Sequence, residues 1–174
     1  AQPAAGGRVC GIAKGAGMIE PNMATMLAFV LTDVAIPRGE MQRMLRAAAD
    51  ASFNCMSVDA DQSTSDTLVC VSSNRVPLPD GEKAAAAALA EFEAALGAVC
   101  GQLAEDTARN GEGTQHVIRV DVRGAPDAEL ARGVGKAVVN SPLFKSAVAG
   151  NDPNVGRLVS TVGSYLGSAA PEME

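Results

Sequence analysis

Met26-Leu-Ala-Phe-Val-Leu-Thr-Asp33 is an apolar run that ends on a polar residue, short enough to be a buried strand rather than a helix. Pro37 follows where its fixed φ and missing N–H suit the first turn of a helix. Met41, Met44, Leu45 and Ala48 then recur at helical spacing and mark one apolar face. Farther on, Ser57–Asp61 and Thr67–Ser72 read as strands around a polar link, and Pro77, Pro79, Asp80 and Gly81 make a turn. Upstream, Arg8 to Ala13 reads as a short strand, and the glycines at 11, 15 and 17 imply bends or close backbone approach. Strands interleaved with helices place the chain in the mixed α/β (α+β) class.

The alanine-rich segment from Glu82 to about Arg109 carries Leu89, Phe92, Leu96, Val99 and Leu103 at steps of three and four, the pattern of a one-sided helix. Asn110 and Gly111 can end it. Ile118, Val120 and Val122 alternate with Arg119, Asp121 and Arg123, which predicts a strand with one buried and one wet face. Pro126 and Asp127 open another helix, followed on one face by Leu130, Val134 and Val138, and a last helix is expected near Asp152 and Pro153. Two of the helices are expected to be long. No fixed-period repeat and no interior linker interrupts the chain, so one structural domain is the economical division.

The 174 residues are 47% hydrophobic, enough to bury a continuous core. A formal charge of -6, no Lys/Arg cluster, and only one Tyr and four Phe argue against nucleic acid or an anionic membrane as partner. With no uninterrupted apolar run of the roughly 20 residues that span a bilayer and no signal-peptide pattern, a cytoplasmic location is expected. Cys10, Cys55, Cys70 and Cys100 are widely spaced and form no C-x-x-C pair, which predicts reduced, buried thiols. His116 is the only histidine, so a multi-histidine metal site within the chain is excluded, and a His-based triad would have no second candidate.

The most unusual segment is Gly11-Ile-Ala-Lys-Gly-Ala-Gly-Met-Ile-Glu-Pro-Asn-Met-Ala-Thr-Met-Leu27, where glycines, a proline and a hydroxyl residue punctuate an apolar background. It closely resembles the processing segment of the ornithine acetyltransferase, or glutamate N-acetyltransferase (ArgJ), family. Further matches follow in the same order: Ser52-Phe-Asn, Val58-Asp-Ala-Asp-Gln-Ser-Thr-Ser-Asp-Thr, Gly111-Glu-Gly-Thr, Asn140-Ser-Pro-Leu and Gly150-Asn-Asp-Pro-Asn-Val-Gly-Arg. Family members are considerably longer, and the resemblance covers the end of their first segment and most of their second. It implies an ArgJ-like layered fold of sheets and long helices, partial relative to the family. It also implies self-cleavage between Ala24 and Thr25, dividing residues 1–24, the end of the first (alpha) segment, from residues 25–174, the nucleophile-bearing second (beta) segment.

Thr25 is then the implied nucleophile and substrate-binding residue. Cleavage before a threonine frees an α-amino group that can serve as base for its own hydroxyl. Such an amine has an ordinary pKa of about 7.7 to 8.0, so part of it is neutral near pH 7 and no histidine is needed. The residues alone would read Thr25 as an ordinary threonine at the start of a strand.

Lys14 and Glu112 match substrate-binding positions of the family, the lysine toward an α-carboxylate and the glutamate toward the ammonium of ornithine. Without the resemblance they read as charged loop residues. The implied reaction is ping-pong transfer of acetyl from N-acetylornithine to glutamate through an acetyl-threonine, in arginine biosynthesis, with no cofactor and acetyl-CoA as an alternative donor. A heterotetramer of two alpha and two beta segments is implied too. A noncatalytic scaffold and an N-terminal-nucleophile amidohydrolase are the competing functions.

Three other motifs have plainer readings. Asp59, Asp61, Ser63 and Ser65 imitate calcium-loop spacing, but Thr64 replaces the turn glycine, which favours a hydrogen-bonded loop. Asp152, Asn154 and Arg157 fit either a helix start or an active-site wall, and Val155 stands where the family pattern has tryptophan. Gly133-Val-Gly-Lys136 lacks phosphate-loop spacing.

Overall fold

A computed structural model of the chain describes residues 6–20, 26–61 and 66–171. β1 (Val9–Lys14) runs antiparallel to β2 (Leu27–Val34), and β2 runs parallel to β3 (Thr67–Val76), which the chain reaches through α1 (Arg38–Ala51) and a short 3-10 turn, Phe53–Cys55. Then come α2 (Glu82–Arg109), α3 (Ala128–Asn140), α4 (Pro142–Ala149) and α5 (Val155–Ala169). The expected mixed α/β class and the bounds of α2 are borne out.

One face of the sheet is the core. Ala28, Val30, Thr32 and Val34 of β2 point inward at the strand period of two. Ala28, Val30 and Val34 meet Met44 and Ala48 of α1 and Phe92, Leu96, Cys100 and Ala104 of α2 in one apolar cluster. Gly11 lets α2 lie against β1, because a Cβ there would sit 2.7 Å from Leu103 Cδ1 and 2.8 Å from Val99 Cγ1. The opposite face carries Ile12, Leu31 and Val71 at 66%, 48% and 51% exposure, although the run around Leu31 reads as fully buried. α2 is long and apolar enough, by length and composition, to cross a bilayer, yet its apolar stripe is the side turned to β1 and α1.

Four expectations need correction. Ser57–Asp61 is a loop: its side chains capture its own backbone, with Ala60 N donating to Ser57 Oγ (3.2 Å) and Asp61 N to Asp59 Oδ1 (3.1 Å), and Ala60 adopts φ +67°. The Ile118–Val122 stretch keeps its alternation of half-buried and exposed residues but joins no ladder among the described residues. Only Cys100 is fully buried. Cys10 and Cys55 are exposed and Cys70 is intermediate, because Cys10 falls on the outward parity of β1 and Cys55 on the 3-10 turn. α4 was unexpected, although Ser141 and Pro142 form its start, with Phe144 N donating to Ser141 Oγ at 3.2 Å.

Phe92→Ala should cost about 3–5 kcal/mol, read as a lower urea midpoint with an unchanged slope. Burial pushes the Cys70 and Cys100 thiols up to about 11, against an ordinary 9.0. Iodoacetamide at pH 8 should therefore label Cys10 and Cys55 and spare the other two until the protein is denatured. Because the unfolded chain loses those two protons first, stability should hold to about pH 9 and decline toward pH 11 in a urea series.

Candidate active site

β1 ends at Lys14, and the chain then turns through Gly15, at φ +148°, into a tight loop. The loop sits directly against the turn that follows α2: Glu112 N donates to Ala16 O at 2.5 Å. A Cβ on Gly17 would lie 2.7 Å from Glu112 Oε2 and 3.7 Å from Asp59 Oδ2, so only glycine leaves that carboxylate its place. Lys14 and Glu112 are both exposed, and neither side chain has a hydrogen-bond or ion-pair partner among the described residues. A cavity of about 300 Å³ opens beside Glu112, lined also by Val58, Thr114, His116 and Lys145.

The Asp59 carboxylate accepts Met18 N at 2.6 Å and Ile19 N at 3.0 Å, and Val58 N donates back to Ile19 O at 2.8 Å. This is the hydrogen-bonded loop expected from the Asp59 motif; Ser63 and Ser65 lie outside the described residues. Glu20, next in the chain, is buried. Its carboxylate pairs with Lys136 Nζ at 2.9 Å and accepts Asn140 Nδ2 at 3.2 Å. Lys136 Nζ also donates to Met56 O (2.9 Å) and Lys145 Nζ to Val58 O (2.8 Å), which ties α3 and α4 to the same loop. Sequence reading missed Glu20 and Lys136, since nothing local links a glutamate near residue 20 to a helix near residue 136.

Ala24 and Thr25 lie outside the described residues. Met26, bonded to Thr25, is buried. Its N donates to Asp66 Oδ1 at 2.7 Å and its O accepts Thr67 N at 2.9 Å. Leu27 pairs with Lys14 on one side and Thr67 on the other. The described surroundings of Thr25 in the chain, the Lys14 loop and the Glu112 turn thus meet at one edge of the sheet. Asp152, Asn154 and Arg157 bond among themselves and to α4 at the start of α5. Asn154 accepts Arg157 N (3.1 Å) as the cap of α5, and Arg157 Nη1 donates to Leu143 O (2.9 Å). The Gly133–Lys136 motif lies inside α3.

Lys136→Met would leave Glu20 buried without its cation, and should cost about 3 kcal/mol in urea unfolding. Lys136→Arg should restore most of that loss.

The sequence matches the ArgJ family over residues 2–173. It is 49% identical over 155 residues to the arginine biosynthesis bifunctional protein ArgJ of Methylococcus capsulatus, covering 89% of this chain and 38% of that protein. The protein of the same name from Ruegeria pomeroyi is 45% identical over 164 residues, covering 94% of this chain and 38% of its own length. The crystal structure of arginine biosynthesis bifunctional protein argJ from Bacillus halodurans superposes with a TM-score of 0.71 at 37% identity, covering 79% of this chain and 64% of that one. The chain therefore spans about 38% of the length of the curated relatives it matches.

Proposed function

Because the chain belongs to the ArgJ family, we propose that it carries the processing site and nucleophile of an acetyltransferase that moves acetyl from N-acetylornithine to glutamate. The observation that supports this most is the convergence at one sheet edge. Lys14 and Leu27 are register partners, and the loop after Lys14 is hydrogen-bonded to the backbone of Glu112.

In processing, Thr25 Oγ attacks the Ala24 carbonyl carbon, the C–N bond to Thr25 breaks, and its nitrogen takes a proton as the free α-amine. Water hydrolyses the resulting ester. In transfer, the amine accepts the Thr25 hydroxyl proton while Oγ attacks the acetyl carbonyl of N-acetylornithine. The departing ornithine amine takes that proton, leaving acetyl-threonine. The amine of glutamate then attacks the ester, and N-acetylglutamate leaves as Thr25 Oγ is reprotonated. Lys14 orients the α-carboxylate common to both amino acids, and Glu112 receives the side-chain ammonium of ornithine. The proposal carries with it no resident cofactor, acetyl-CoA as an alternative donor, a cytoplasmic location and a heterotetramer of two pieces of each kind.

Cleavage would put β1 in the piece 1–24 and β2 in the piece 25–174. These strands pair over six residues, so the pieces stay together after the cut. The gene product, expressed with whatever sequence flanks these residues, should give two masses under denaturing conditions, one beginning at Thr25, and a single species by native size exclusion. N-acetylornithine should add one acetyl mass to the Thr25 piece, and glutamate should remove it as N-acetylglutamate. Thr25→Ala should abolish both events. An uncut wild type would refute the assignment of Thr25, and release of free acetate in place of N-acetylglutamate would make the enzyme an amidohydrolase.

A further inference from the structure

Transfer of the kind proposed above asks one site to take side chains of opposite charge in turn, because ornithine leaves before glutamate arrives. Lys14 orients the α-carboxylate that both amino acids carry, and Glu112 receives an ammonium. The carboxylate at the end of the glutamate side chain needs a cation of its own, since beside Glu112 alone it would meet a like charge.

The cavity beside Glu112 holds such a cation. Of the described residues that line it, Lys145 is the only lysine or arginine. It stands on α4, and its Nζ is steadied by donating to Val58 O at 2.8 Å. Val58 also lines the cavity and abuts the turn that carries Glu112, where a Cβ on Gly111 would lie 2.8 Å from Val58 Cγ1. Anion and cation thus border the same residue. The bond to Val58 leaves other ammonium donors of Lys145 unused, and no carboxylate pairs with Lys145 among the described residues. Lys136, by contrast, spends its charge on Glu20. His116 lines the same cavity but is neutral in the formal charge count. Val139 and Val148 add apolar wall, which suits the methylenes of either side chain.

We infer that Lys145 is a specificity-determining residue for the acetyl acceptor, its ammonium receiving the side-chain carboxylate of glutamate in the cavity whose Glu112 receives the ammonium of ornithine. The inference rests on the acetyl transfer proposed above. One cavity with a free anion and a free cation accepts both amino acids without rearranging, each side chain turning to its own counter-charge.

The test uses the full gene product, processed and then acetylated by N-acetylornithine. Loss of the acetyl mass is followed with glutamate and with glutamine, which has the same skeleton without the charge. Wild type should prefer glutamate by at least about tenfold in second-order rate constant. Lys145→Gln keeps an N–H donor for Val58 O and removes the charge. It should reduce that preference to about threefold or less by raising the glutamate concentration needed for half-saturation, while acetylation by N-acetylornithine stays within about threefold of wild type. Lys145→Arg keeps the charge and should retain most of the preference. A merely structural lysine would slow both half-reactions and both acceptors together.

If Lys145→Gln does not fold, the wild-type enzyme decides. Glutamate should then slow labelling of Lys145 by an amine-reactive succinimidyl ester at least about threefold, read by peptide mass, and glutamine should not. A wild type indifferent between the two acceptors, an undiminished preference in folded Lys145→Gln or, in its place, labelling that glutamate does not slow, overturns the inference while the acetyl transfer stands. A wild type that N-acetylornithine does not acetylate overturns both.

Discussion

The register row Lys14–Leu27–Thr67 is the constraint on which the rest of the structure depends. β1 ends there, while β2 and β3 begin there, so one edge of a three-stranded sheet receives the glycine loop, the residues after Thr25 and the aspartate motif together. Strand pairing is unforgiving on this point. A slip of one residue in β2 would turn Ala28, Val30 and Val34 outward and Phe29 and Leu31 into the core, so the packing of α2 on the sheet enforces the register and the register assembles the site.

What the sequence disclosed follows from how local each signal is. α2 was legible to the residue because its apolar stripe persists over many turns and Asn110-Gly111 closes it. β1, β2 and α1 were legible for similar reasons, and β3 begins as expected but runs on to Val76. Ser57–Asp61 misled because alternation alone does not distinguish a strand from a loop whose Ser57 and Asp59 side chains bind its own N–H groups. Ile118–Val122 misled in another way: alternation describes which side chains meet water, but a strand also needs a neighbour to bond. The Glu20–Lys136 pair was invisible, since it joins residues that only the folded chain brings together. Lys14 and Glu112 could be singled out only through resemblance, as residue type and spacing alone favour solvated loop charges.

The structure adds to that resemblance a physical reason for the spacing of the glycines. Gly11 admits α2 against β1, while Gly17 leaves room for the Glu112 carboxylate, so two glycines of one motif serve separate contacts at its two ends. The burial of Glu20 shows a third device. An unpaired carboxylate at that depth would be costly, and Lys136 and Asn140 offset the cost while pinning the chain just before the proposed cleavage segment.

Around that segment the carboxylates are used differently. Glu20 is neutralised by a lysine, Asp59 spreads its charge over three backbone N–H groups, and Glu112 remains exposed beside a cavity. These roles divide the work that one multipurpose side chain would otherwise perform. Anchoring falls to the groups whose charge is already satisfied, and the proposed recognition of an ammonium is assigned to the group whose charge is still available. With a single histidine in the chain, the proposed mechanism draws its base from the backbone itself, because a free α-amine has an ordinary pKa close to neutrality without the burial a lysine would need.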